Sequence, residues 1–321
     1  MSGSRQAGLR LIAVAAVGAT AAGAARLAYS AANRRPPGGP KMWSRTNHRG
    51  EPVTLLEGPA VAAGAIAGAL AGPLVSRGLA GSASWRATAA IAVGGAGAAA
   101  FGAYDDLAGS GDRRGFGGHL GALRHGEVTT GAVKLGGIGA TGLISAVLAG
   151  GSPADVVLNA GLVAGGANLL NLFDLRPARA IKVAAASGAL LGAAGQESAA
   201  APVAAALALL PEDLGERAML GDAGANALGA MLGASAAGLS RPARIALLAG
   251  IAGLTAASEK VSFTKVIERT PALHWLDMLG RRPASQAPAV TVPAQRGVMG
   301  LAEAGTGARS AEKTDPSPPA G

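Results

Sequence analysis

The chain has no cysteine, which excludes disulfides, thiolate metal ligands and a cysteine nucleophile, and says nothing about the compartment. Charge is scarce as well. Asp, Glu, Lys and Arg make up 15% of the residues, against about 25% in a soluble domain, so the composition is that of a polytopic membrane protein. Aromatic residues reach only 3%. With so few large side chains, the helices are expected to pack closely through small residues. The net charge of +9 comes with no basic–aromatic module and no helix-turn-helix pattern, so a nucleic acid is not the expected partner. The positive-inside bias of membrane proteins accounts for the charge better.

What remains is an apolar chain of 321 residues, 50% hydrophobic, with 51 glycines and a mean hydropathy of +0.34. Segments long enough to cross a bilayer, roughly 20 residues each, fall near 9–32, 54–76, 85–103, 131–151, 153–173, 178–195, 198–211, 223–240 and 242–258. The expected fold is all-α: a polytopic membrane helix bundle of about nine transmembrane helices over residues 1–282. Residues 283–321, rich in Pro, Ala, Ser, Thr and Gly, read as a disordered cytoplasmic tail. The first segment lies between Arg5, Arg10 and Arg34-Arg35, and is too long for a cleaved signal, so it reads as an uncleaved anchor. Lys and Arg concentrate in 33–53, in 104–130 and after 259, which places those loops in the cytoplasm and the N-terminus outside. Nine crossings keep this parity. The short, proline-containing 198–211 is the weak link, because without it Asp222 would move to the opposite face.

Polar residues interrupt the apolar chain at six places: Arg45–Gly50 with Asn47, Asp105-Asp106, Lys134, Asn168 through Asp174, Gly221–Gly224 with Asp222, and Glu259 through His274. Ionisable groups are costly in hydrocarbon, and their recurrence at span ends points to a site that handles a charged, phosphorylated substrate. Asp105 and Asp106 are helix neighbours about 100° apart, so they cannot share one role. One suits a metal, the other a proton or a cation; a solvated helix end is the plainer account. Asn168, Asn171 and Asp174 line one broad side of a helix, as a cleft or as interhelical hydrogen bonds. Asp222 opens a helix, either as its N-cap or as a ligand for Mg²⁺, which takes one or two carboxylates plus phosphate oxygens. Lys134 is either a snorkelling lysine or a phosphate holder. Arg176 and Arg179 follow Asp174 and could grip phosphate. The match of Gly137–Gly142 to G-x-G-x-x-G lies inside an apolar span with no strand before it, so it reads as helix packing and not as a dinucleotide loop.

The order of these motifs resembles the polyprenyl-phosphate N-acetylhexosamine-1-phosphate transferases, the group that includes phospho-N-acetylmuramoyl-pentapeptide transferase, from about Arg45 to Gly280. Asp105-Asp106 is similar to the family's Asp-Asp pair, Lys134 to its following lysine, Asn168 to Asp174 to the start of N-x-x-N-x-x-D-G-x-D-G, and Gly221 to Gly229 to G-D-x-G-S-x-x-L-G. The resemblance implies a multi-pass protein of a bacterial plasma membrane that transfers a sugar-1-phosphate from a nucleotide sugar, UDP-linked, to a polyprenyl phosphate in cell-envelope glycan synthesis. It implies Mg²⁺ at Asp222, Asp105 or Asp106 on the lipid phosphate, Asp174 as a further catalytic carboxylate, and Asn47, Lys134, Asn168, Asn171, Arg176 and His274 toward substrate. It leaves a homodimer open. Two features differ: Leu175-Arg176-Pro177-Ala178 stands where the family has G-x-D-G, and a single His274 stands in place of a histidine-rich loop. These differences keep open a non-catalytic relative that binds a lipid carrier or an envelope partner.

Overall fold

The structure is a computed structural model that describes residues 3–79, 84–109 and 129–283. The described residues up to Arg282 form one compact unit. The expected tail lies outside the described residues apart from Pro283, as do Arg113, Arg114 and Arg124 of the cationic loop.

The elements are α1 (Gly3–Arg34), α2 (Pro40–Trp43), strands β1 (Ser44–Thr46) and β2 (Pro52–Thr54), α3 (Glu57–Leu79), α4 (Trp85–Ala108), α5 (Thr130–Ala149), α6 (Pro153–Phe173), α7 (Arg179–Ala193), α8 (Ala200–Leu214), α9 (Gly221–Ser235), α10 (Arg241–Ser258), α11 (Phe263–Arg269) and α12 (Pro271–Met278). Local sequence sets many of their ends. Ser84, Thr129 and Ser262 accept the backbone N–H three residues on, and Ser152 with Asp155 closes a full capping box ahead of Pro153. Gly150 and Gly151, both with positive φ, end α5 and turn the chain into α6.

Each of the nine expected segments contains a helix, but a count of nine spans is not supported. Among the described residues five helices, α1, α3, α4, α5 and α6, are long and apolar enough to cross a membrane; α10 with α11 makes a sixth if that pair, bent by 94°, counts as one span. Helices α7, α8 and α9 have 15 residues each, roughly 22 Å at 1.5 Å per residue, short of a hydrocarbon core of about 30 Å. The physical reason is plainest in α9. Every residue of α9 except Asp222 is buried, so the helix meets protein instead of lipid and need not match the bilayer. The long apolar helices mark a membrane-embedded protein.

The all-α expectation also needs a correction. Residues 44–54 form a short antiparallel hairpin, with Ser44 opposite Thr54 and Arg45 opposite Val53. Thr54 bridges on to Ala218 in the connection that leads into α9.

Close packing through small residues holds the bundle, as composition led one to expect. A Cβ on Gly166 would strike the Gly229 carbonyl, and one on Gly229 would strike the Gly166 carbonyl, so α6 and α9 meet backbone to backbone. The G-x-G-x-x-G match lies within α5. There Gly137 faces the Phe101 ring and Gly142 the Ala160 carbonyl, a packing role with no phosphate loop. The core, with Leu162, Ile181, Leu209, Leu228 and Met231 fully enclosed, lies around α9.

Candidate active site

Helices α4, α6 and α9 deliver carboxylates, and α5 a lysine, to one end of the bundle. At the C-terminal end of α4, Asp105 Oδ2 lies 2.9 Å from the Nζ of Lys134, in the first turns of α5. The same ammonium donates to Asp222 Oδ2 at 2.5 Å, and the carboxyls of Asp105 and Asp222 are within hydrogen-bonding reach of each other. Lys134 therefore joins three helices, and its side chain is only 13% exposed. Asp222 thus stands beside Asp105 and Lys134 although α8, the helix of the 198–211 segment, is shorter than a span.

Asp106 does a different job from Asp105, as their angular separation on the helix demands. Its Oδ1 accepts the Asp222 backbone N–H at 3.0 Å and its Oδ2 that of Ala223 at 2.9 Å. The Asp174 carboxylate accepts the Gly221 N–H. The first turn of α9 thus has three successive donors satisfied by acids from α4 and from the end of α6, where unpaired N–H groups and the helix dipole favour negative charge. Asp222 does not cap its own helix; Asp106 does so from outside, which leaves the Asp222 carboxylate for Lys134. Two glycines permit this. Gly221 has φ +62°, and a Cβ on Gly102 would collide with the Asp222 carbonyl, so neither position accepts a side chain without displacement. Arg45 adds a bond to the Asp106 carbonyl and ties the hairpin to α4.

Asp174 lies just beyond α6 in a field of like charge. Burial, and then Asp213, Asp222 and Asp106, push its carboxyl well above the usual range. Asn168 of α6 donates to Thr255 Oγ1 at 3.4 Å, which is a helix–helix bond. The Asn171 side chain makes no hydrogen bond among the described residues, and its carbonyl accepts from Asp174. Asn47 is engaged in the hairpin: its Oδ1 accepts from Arg49 and Glu51, and its Nδ2 donates to Glu216 at 2.9 Å. Arg176 donates to the neighbouring Leu175 carbonyl. His274 is exposed on α12 and has no side-chain bond to the carboxylates among the described residues. Arg179, the second of the paired arginines, is committed elsewhere, bidentate to Asp277 at 2.7 and 3.1 Å.

Three acids at this end were not singled out from the sequence. Glu57 is fully buried with both carboxylate oxygens unpaired, and Asp213 is 3% exposed with Oδ2 unpaired. Glu216, 5% exposed, holds Arg49 at 2.9 Å. The available signal was weak: Glu57 opens an apolar segment, and Asp213 and Glu216 flank the short turn before Gly221.

The donor set bears on Mg²⁺. Among the described residues no three His, Asp or Glu side chains form a ready-made metal cage. Mg²⁺ needs none, since one or two carboxylates plus substrate phosphates suffice. Asp105 and Asp222, adjacent and facing one cation, fit that requirement. No protein-family model matches the chain, and no curated protein matches it.

Proposed function

We propose that this protein is a membrane-embedded, Mg²⁺-dependent transferase that moves a sugar-1-phosphate from a nucleotide diphosphate sugar to a polyprenyl phosphate. The observation that supports the reading most is the joining of Asp105 and Asp222 by Lys134, with Asp106 and Asp174 on the adjoining helix terminus. Residues far apart in sequence meet at one end of the bundle, where a lipid phosphate and a soluble nucleotide could both arrive.

In this reading Asp222 and Asp105 would hold Mg²⁺, which supplies charge neutralisation on the diphosphate. Lys134 then exchanges its carboxylate partners for phosphate oxygens and keeps them in place. Asp106 and Asp174 keep the start of α9 in position, so that the Asp222 carboxylate stays aimed at the same point. Asn171, whose amide is uncommitted among the described residues, is left for the nucleotide sugar.

Exchange of labelled uridine monophosphate into UDP-sugars, with purified protein, Mg²⁺ and undecaprenyl phosphate, tests the proposal. Exchange that requires both lipid and Mg²⁺ is expected; none with any UDP-sugar overturns the reading. One observation favours a non-catalytic relative instead: Lys134 already neutralises the two proposed metal ligands. That alternative predicts polyprenyl phosphate binding with no nucleotide binding.

A further inference from the structure

At the other end of the bundle lies a cavity of about 430 Å³ between the start of α4, the end of α5, the start of α6, the end of α9 and the start of α10. Asp155 lines it, 19 positions before Asp174 on the same course of chain, roughly 28 Å away at helical rise, so this cavity is separate from the carboxylate site. Its volume is within the range of small-ligand pockets.

Arg244 forms one wall. Its Nη1 donates to Asn159 Oδ1 and its Nη2 to Asp155 Oδ1, both at 2.9 Å. A guanidinium has five N–H donors, so three remain, and the Nε is buried with no partner. Asp155 does not need Arg244 alone: Ser152 donates to its other oxygen at 2.6 Å, and Arg241 lies 3.8 Å away. Arg86 reaches the Gly150 edge of the cavity, where its Nε donates to the Leu148 carbonyl. Arg244 and Arg241 thus face the Asp155 carboxylate, and with Arg86 at the Gly150 edge these four groups carry an excess of two positive charges. Gln196 and Ser198 add neutral polar groups to the lining.

We propose that this cavity binds a phosphate group, with Arg244 as its anchor and Arg86 and Arg241 at its mouth. A monoester phosphate carries a charge of about −1.5 to −2 at neutral pH, which matches the excess. Its oxygens accept from a planar guanidinium fork in a way that no lysine reproduces. The phosphate comes from a lipid headgroup or from solution, and the test separates the two.

The absence of native cysteine makes the Ala87→Cys thiol unique, and Ala87 is an exposed lining residue. Its alkylation by a small maleimide is timed in the full-length protein, with sodium phosphate against sodium chloride of equal ionic strength. A parallel arm uses lipid nanodiscs with and without phosphatidic acid. Saturable slowing by inorganic phosphate assigns a soluble ligand; slowing by phosphatidic acid alone assigns a lipid headgroup. In an Arg244→Lys background the half-saturating concentration should rise about tenfold. Arg241 is 53% exposed and Arg86 is also exposed, so an Arg86→Gln/Arg241→Gln pair should fold and raise it about threefold. No slowing in either arm overturns the proposal, as does slowing that both backgrounds leave unchanged. If Arg244→Lys fails to fold, the paired variant alone decides.

Discussion

Asp106 caps the helix that carries Asp222: its Oδ1 accepts the Asp222 backbone N–H at 3.0 Å across 116 positions of sequence. Capping and side-chain chemistry are thereby divided between two acids. Asp106→Ala removes acceptors from two buried N–H groups and should cost about 2 kcal/mol, while Asp106→Asn, which keeps one oxygen, should cost less. Thermal unfolding in detergent checks the order.

Asp222→Asn should leave the protein folded, because the cap does not depend on its carboxylate, and should abolish Mg²⁺-dependent exchange. Unfolding of this variant would instead make Asp222 chiefly the structural partner of Lys134.

Lys134→Met leaves Asp105 and Asp222 facing each other without their cation. Stability should fall by about 3 kcal/mol, near the lower end for breaking a buried pair. Added Mg²⁺ should then raise the unfolding temperature of this variant more than that of the wild type, because the bound ion replaces the lost charge. Equal responses would place the ion away from these carboxylates.

Gly229→Ala drives a methyl into the Gly166 carbonyl and should cost about 1–3 kcal/mol by overpacking. Gly139, with nothing within 4 Å of a built Cβ, should accept alanine at no cost or with a slight gain in helix propensity. Guanidinium-free thermal melts of the two variants side by side measure the contrast.

Asp277 fastens α12 to α7 through Arg179 and holds Arg281, four residues further on, at 2.8 Å. Burial opposes its ionisation, but Arg179 and Arg281 prevail and hold the carboxyl below its ordinary 3.8. A depressed folded value stabilises above the unfolded pKa and is lost as pH falls through the folded one. Backbone amides of residues 263–278 should therefore exchange hydrogen faster at about pH 2.5 than at about pH 5, after correction for intrinsic rates. Asp277→Asn should abolish that difference.

Sequence alone determined where the helices are, because hydropathy and caps such as Ser152 with Asp155 act within a few residues. It also located Asp105, Lys134 and Asp222 near helix ends, since charge is excluded from apolar runs. Tertiary structure decided which acid does what. Asp106 and Asp222 are both aspartates at helix ends, and only the approach of α4 to α9, allowed by Gly102, makes one a cap and the other an ion-pair partner. It decided as well that 15-residue helices suffice for α7, α8 and α9, because α9 is enclosed by its neighbours and span length is set by lipid contact. Glu57 and Asp213 escaped notice for the same reason. A buried, unpaired carboxylate is a property of the packed neighbourhood, and nothing in the adjoining residues records it.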